Sequence, residues 1–196
     1  VGTTVIETVT GSENFDFLIL ELSSFQLHWL EDAQFSSCAI LNIADDHVDW
    51  HETFEAYAAA KVSLLDASDR AILNGDDAGV MKATSSWKGE KTFFLLDTPG
   101  PGEIGIVEDL LVDRAFVIDP QEAVMIANLV DVKPTVPHNV SNALAAAALA
   151  LAGGIDHVDI QKAIIAFRPG RHRIEEVYKK GEITWVDDSK ATNPHA

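Results

Sequence analysis

Cysteine is nearly absent: Cys38 is the only one among 196 residues. An internal disulfide and a multi-cysteine zinc site are excluded, and a reducing compartment is the natural setting. Long apolar runs are missing too. The longest, Ala143 to Ile155, has 13 residues, short of the roughly twenty that span a bilayer as a helix. Basic residues are scarce, with 14 Lys+Arg against 31 Asp+Glu and a net charge of −17. That balance argues against a protein that coats nucleic acid or docks on an anionic membrane. A phosphate loop of the form Gly-x-x-x-x-Gly-Lys-Ser/Thr is also absent, because Gly2-Thr3-Thr4 is too short to count. No Met opens the chain, no basic segment precedes an apolar one, and no structural stop follows Ala196. The sequence therefore reads as a piece cut at both ends.

What is present suits a globular domain. Hydrophobic residues make up 47% and charged residues 23%, too apolar for disorder. A chain of this length can bury about 70% of its unfolded surface. The charge is uneven: the first 60 residues hold 11 Asp and Glu and no Lys or Arg, so Lys61 is the first cation. Arg168, Arg171, Arg173, Lys179, Lys180 and Lys190 make the end locally basic. Both halves also fit plain solvated surfaces.

Two apolar runs, Phe15 to Leu22 and Ser36 to Ile43, predict buried parallel strands, which run apolar without alternation. Polar residues follow at their C-terminal ends, where open α/β sheets place ligands. A short helix is expected around Phe25 to Trp29. Thr53 is positioned to cap a helix through about Leu65. Arg70 to Asn74 reads as a strand and Gly75-Asp76-Asp77 as a turn. Between Lys91 and Pro137 lie five of the seven prolines. Thr92 to Leu96, Ile104 to Val107, Ala115 to Ile118 and Val124 to Ile126 predict a small strand-and-turn insertion there. Asn139 or Ser141 should cap an alanine-rich helix through Leu151, closed by Gly153-Gly154. Asp156 or Asp159 should open another to about Phe167. Arg168-Pro169-Gly170 marks a domain boundary, and Ile174 to Tyr178 with Ile183 to Val186 should pair as a hairpin.

Glu21, Asp45-Asp46-His47 and Lys61 make a plausible cation site, since carboxylate oxygens suit magnesium and imidazole can complete the set. The same residues also suit a plain turn, and Lys61 a lysine snorkelling at a helix edge.

Six motifs carry more. Glu21-Leu22-Ser23-Ser24-Phe25-Gln26-Leu27, Leu41-Asn42-Ile43-Ala44-Asp45-Asp46-His47-Val48-Asp49-Trp50-His51 and Tyr57-Ala58-Ala59-Ala60-Lys61 come first. His138-Asn139-Val140-Ser141-Asn142-Ala143, Gly170-Arg171-His172-Arg173-Ile174-Glu175 and Asp187-Asp188-Ser189-Lys190-Ala191-Thr192-Asn193 follow. In order and spacing they resemble the Mur ligases, the ATP-dependent amino-acid-adding enzymes of peptidoglycan precursor synthesis. The first motif resembles most the member that adds D-glutamate to UDP-N-acetylmuramoyl-L-alanine.

The resemblance implies an α/β fold: a central parallel-sheet domain of the phosphate-loop type over residues 1–168, with its loop missing, then the first strands of a Rossmann-like C-terminal domain over 169–196. It implies that Glu21, His47 and Lys61 hold magnesium, with Lys61 and His47 in the catalytic set and Lys61 carbamylated, a change that makes a cation into an anionic ligand. Asn142 and Arg173 would contact ATP and Asp188 its ribose. Ser23, Gln26, Lys190 and Thr192 would contact substrate. Local alternatives exist: Ser23 as a helix cap, Gln26 as a surface residue, Asn142 as part of a helix start, Asp188-Ser189 as a turn. His51, His138 and His172 suit positioning of neighbours, and Trp29, Trp50 and Trp185 suit the core.

In the implied reaction, ATP phosphorylates a carboxylate to an acyl phosphate, which the amine of D-glutamate attacks. Charge neutralisation, not a covalent nucleophile, is the need, which disfavours Ser23 or Ser24 as nucleophile. The family's phosphate loop and uridine-binding domain should precede Val1, and its D-glutamate-binding domain should follow Ala196, so this piece alone is expected to lack ligase activity. Val136-Pro137 replaces the Gly that often precedes the His-Asn motif. A cytoplasmic monomer with no nucleic-acid or membrane partner is expected. The other readings are another Mur ligase, a folylpolyglutamate synthase, or a non-catalytic metal- or nucleotide-binding module.

Overall fold

The computed structural model describes residues 4–44, 48–119 and 121–191. Asp45, Asp46, His47 and Thr192 lie outside the described residues.

Six strands form one sheet in sequence order: β1 (Cys38–Ile40), β2 (Arg70–Asn74), β3 (Glu90–Phe94), β4 (Glu103–Val107), β5 (Leu110–Asp113) and β6 (Val124–Asn128). The first four run parallel, whereas β4, β5 and β6 pair antiparallel. The helices are α1 (Val5–Thr10), α2 (Ser24–His28), α3 (Val48–His51), α4 (Phe54–Val62), α5 (Ala78–Thr84), α6 (Pro137–Ala152) and α7 (His157–Ala166). A separate antiparallel hairpin, β7 (Glu175–Lys180) with β8 (Ile183–Asp187), follows.

Period-two alternation in β2 divides the core. Ala71 and Leu73 join Cys38, Ile40, Ile43, Tyr57, Leu65 and Val80 on the face covered by α4 and α5. Ile72 instead joins Phe94, Ile104, Leu111 and Ile126 under Leu144, Ala148 and Leu151 of α6 and Ile160 of α7. A strand buried on both faces has no polar side to show, which is why Arg70–Asn74 reads apolar through its middle. The alanines of α6 let that helix lie close on the sheet. At α7, Asp156 accepts a hydrogen bond from the Asp159 N–H at 3.0 Å. Below it, the fully buried Asp113 at the end of β5 lies 2.9 Å from the His157 ring and ties the helix to the sheet.

Several expectations are corrected. Phe15 to Leu22 forms no strand and is largely exposed, Ile19 at 92%. Among the described residues β1 pairs only with β2, and an apolar run gains a strand conformation only where a ladder satisfies its backbone. The region after Lys91 is not a separate insertion, because β3 to β6 extend the central sheet, which is parallel from β1 to β4 and antiparallel beyond. Ala115 to Ile118 is a turn: the Asp113 carboxylate accepts from the Ala115 and Phe116 N–H groups at 2.8 and 2.9 Å and ends the strand. α6 starts before Asn139, since Pro137 sits where a helix needs no N–H donor. Trp29 is 75% exposed, and Trp50 and Trp185 are each 44% exposed, so none is a core residue.

Candidate functional site

Thr53 caps α4 by accepting from the Ala56 N–H at 3.1 Å. Tyr57 and Lys61 then stand one turn apart on one face, Tyr57 buried and Lys61 half-buried. The Lys61 ammonium donates to the Tyr57 hydroxyl at 3.1 Å and to the Asn42 carbonyl at 2.8 Å, with its Nζ 5.2 Å from the Tyr57 ring centre. It is neither snorkelling nor free. Asn42 lies just past β1, so Lys61 grips the backbone that leads into Asp45-Asp46-His47.

Other side chains grip the same backbone. Asn74, at the end of β2, donates to the Leu41 carbonyl at 2.8 Å. Asp77, the cap of α5, accepts from the Ile43 N–H at 3.4 Å and from the Val80 N–H at 2.7 Å. Gly79 passes so close to the Ile43 carbonyl that no side chain fits between them. Three consecutive residues at the carboxyl end of a parallel strand are thus fixed from β2, α4 and α5.

Ser23 caps α2 and Gln26 reciprocates. The Gln26 amide oxygen accepts from the Ser23 N–H and hydroxyl, both at 2.9 Å, while the Ser23 hydroxyl accepts from the Gln26 N–H at 3.3 Å. Gln26 is exposed, and its amide nitrogen makes no hydrogen bond among the described residues. Glu21 is exposed just ahead of this turn. Behind it, Ser24 and His51 are buried with Oγ and Nε2 2.9 Å apart. A serine–histidine pair at that distance has the geometry of a nucleophile and its base. With both residues more than nine-tenths buried, no substrate reaches it. Cys38 is buried as well, and burial pushes its thiol pKa up, away from nucleophilic use.

Asn142 is exposed in the second turn of α6. Arg173 lines a cleft of about 250 Å³ with Lys133, Pro134, Arg168, Arg171 and Glu175, a cationic wall suited to an anion. The neighbouring turn is well tied. His172 Nδ1 lies 2.7 Å from an Asp187 oxygen, Asp188 accepts from the Ile174 N–H at 3.1 Å, and the Lys190 N–H donates to the His172 carbonyl at 3.1 Å. The His172 hydrogen bond, helped by donation from Ser189, lowers the Asp187 pKa to about 2. His172, Glu175 and Asp187 bring ligand-type atoms within 4.8 Å of one another. They satisfy each other, since Glu175 accepts from the His172 N–H at 2.9 Å. Sequence reasoning placed His172 as a positioning residue but did not foresee this trio, although two of the six motifs contain it.

The sequence profile of the Mur ligase middle domain matches residues 4–150. The chain belongs to the Mur ligase family. Curated relatives of the whole chain include proteins named UDP-N-acetylmuramoylalanine--D-glutamate ligase from Streptomyces coelicolor, 44% identical over 202 residues, and from Thermobifida fusca, 46% identical over 203 residues. The chain covers 43% of the length of each of these relatives. Among solved structures, MurF from Acinetobacter baumannii superposes with a TM-score of 0.54 at 23% identity, covering 78% of this chain and 33% of that one. A pseudomurein peptide ligase type C from Methanothermus fervidus gives 0.58 at 20% identity, covering 78% and 38%. These likenesses establish the fold. The structure sets α2, which carries Ser24 and Gln26 and is capped by Ser23, against α4, which carries Lys61. It gathers Arg173, Asp188 and Lys190 at the hairpin. No helix among the described residues is long and apolar enough to cross a membrane.

Proposed function

We propose that the protein carrying this chain is the cytoplasmic, monomeric Mur ligase that adds D-glutamate to UDP-N-acetylmuramoyl-L-alanine, driven by ATP through an acyl phosphate. The observation that carries the reading is the 44–46% identity along the whole chain to relatives named for that reaction. Residues 1–168 are read as the central domain and 169–196 as the start of the next. The separate β7–β8 hairpin and the end of the profile match at residue 150 support that division.

The residue types suit the chemistry. Phosphoryl transfer to a carboxylate brings anions together and is eased by fixed cations. Arg173 offers one from the cleft, with Asn142 as a further nucleotide contact and Asp188 for the ribose, while Lys190 and Thr192 would contact substrate. Gln26, its oxygen committed to the cap, presents its amide N–H groups outward as donors to the UDP-muramoyl substrate, with Ser23 holding it there. Glu21 supplies a hard oxygen suited to magnesium, with His47 as its partner. Lys61 fits that set only as a carbamate, because its ammonium is a donor with no lone pair to give. Magnesium bound there would offset phosphate charge.

The test is phosphate release by the complete protein with ATP and UDP-N-acetylmuramoyl-L-alanine, offered D-glutamate, L-lysine or meso-diaminopimelate in turn. Turnover with D-glutamate alone is expected; turnover only with another amino acid refutes the assignment.

A further inference from the structure

His51 is buried yet carries a titratable ring, and the proposed reaction gives it no task. It closes α3, where its imidazole touches three helices. Its Nε2 lies 2.9 Å from Ser24 Oγ, and its ring stacks on Phe25 with centres 5.7 Å apart and planes 13° from parallel. Trp50 of its own helix meets it edge-on at 4.5 Å, and Tyr57 of α4 at 5.5 Å. Tyr57 in turn accepts from the Lys61 ammonium. Ser24 sits between Ser23 and Gln26, whose capping box sets the outward amide. One ring therefore stands between the helix carrying Gln26 and the helix carrying Lys61.

We infer that His51 is a positioning residue: held by Ser24 and packed on Tyr57, it fixes α2 against α4, so that Gln26 and Lys61 keep one mutual placement. Several features of the contact argue for positioning over general packing. A buried histidine hydrogen bond is directional where an apolar ring would only fill space. Both partners are interior, so no water competes for the bond. Two of the three helices are too short to hold their own place, α2 with 5 residues and α3 with 4.

The inference rests on the proposed ligase activity, and two measurements separate the two claims. In the complete protein, His51→Leu keeps bulk but removes the hydrogen bond, Ser24→Ala removes it from the other side by loss of one hydroxyl, and His51→Gln restores a donor of similar reach. Each of the first two should raise KM for UDP-N-acetylmuramoyl-L-alanine about tenfold, as loss of a buried hydrogen bond implies. KM for D-glutamate should stay within about twofold, the double variant should be no worse than the worse single, and His51→Gln should recover most of the loss. A fall in melting temperature with both KM values unchanged, or an equal rise in both, overturns the inference. Amide hydrogen exchange needs no activity: His51→Leu and Ser24→Ala should speed exchange in residues 24–28 and 57–62 together, and a change confined to one segment overturns it. A wild-type protein without D-glutamate turnover refutes the functional proposal alone, and exchange then decides the role of His51. Should His51→Leu fail to fold, Ser24→Ala carries both measurements.

Discussion

Gly79→Ala tests how tightly the carboxyl end of β1 is held. Gly79 lies in the first turn of α5, where its backbone passes the segment after β1. A Cβ built there would come closer to the Ile43 carbonyl oxygen than the 3.0 Å below which real Cβ atoms essentially never approach a heavy atom. It would also lie 3.2 Å from the Ile43 carbonyl carbon and 3.1 Å from Asp77 Oδ1. In an open helix the same change favours folding by up to about 1 kcal/mol. Here the obstacle is backbone, which cannot rotate aside, and overpacking of this kind costs about 1–3 kcal/mol. The clash outweighs the propensity, so a net loss of about 1–2 kcal/mol is expected, or roughly 2–8 °C in melting temperature for a domain of this size. Gly75→Ala is the matched control, because its Cβ would meet nothing closer than 3.5 Å. Differential scanning fluorimetry of the complete protein compares the two. If Gly79→Ala melts at or above the wild-type temperature, or no lower than Gly75→Ala, the close approach does not constrain the site and the reasoning fails.

Asp113→Ala should destabilise the protein by about 3 kcal/mol in urea titration, because it strands His157 and two turn N–H groups. Asp113→Asn, which keeps an acceptor for the turn, should cost less, and equal costs would refute the turn's share of the loss. Asp187 has its folded pKa lowered from 3.8 to about 2, so its contribution is complete above the ordinary value and is lost as pH falls through about 2. Amide protection in the turn at residues 171–174, which Asp187 ties through His172, should therefore hold from neutral pH to near 4 in NMR-detected exchange and fall below it. A turn that loosens between pH 7 and 5 would contradict this assignment.

The strands and helices that pack on themselves were legible in the sequence. Arg70–Asn74, the Thr53-capped helix, the Asp156-capped helix and the hairpin follow from periodicity and caps, which are local. Phe15 to Leu22 misled because an apolar run states a need for burial without naming the neighbour that meets it. The antiparallel end of the sheet was hidden for a similar reason: pairing direction is a property of two strands, while each strand's sequence describes one. In the candidate site the motifs marked side chains such as Gln26, Lys61 and Arg173. The grip on Leu41, Asn42 and Ile43 was invisible, since it acts on backbone carbonyls and an N–H that every residue carries. Trp50 looked like core because large aromatics usually are, yet its ring packs on Phe25, His28 and His51 at a partly exposed edge.

Lys61 carries an opposition that experiment can resolve. As an ammonium it holds the Asn42 carbonyl at 2.8 Å and the Tyr57 hydroxyl at 3.1 Å, so its charge stabilises the path into His47. A carbamate at the same nitrogen would leave one N–H donor and place anionic oxygens near a carbonyl oxygen, which repels them. The two states thus demand different arrangements at Asn42, and the proposed ligase needs the second. In the complete protein, Lys61→Ala should abolish turnover, and an added short-chain carboxylic acid should restore part of it by supplying the missing carboxylate. ¹³C-bicarbonate should add a labelled carbon signal to wild type and none to Lys61→Ala, with the Asn42 and Ile43 amide signals shifting as it appears. Full turnover in Lys61→Ala would remove the residue from the reaction. A carbamate signal that leaves those amides unmoved would show that the ammonium contact is not what holds this backbone.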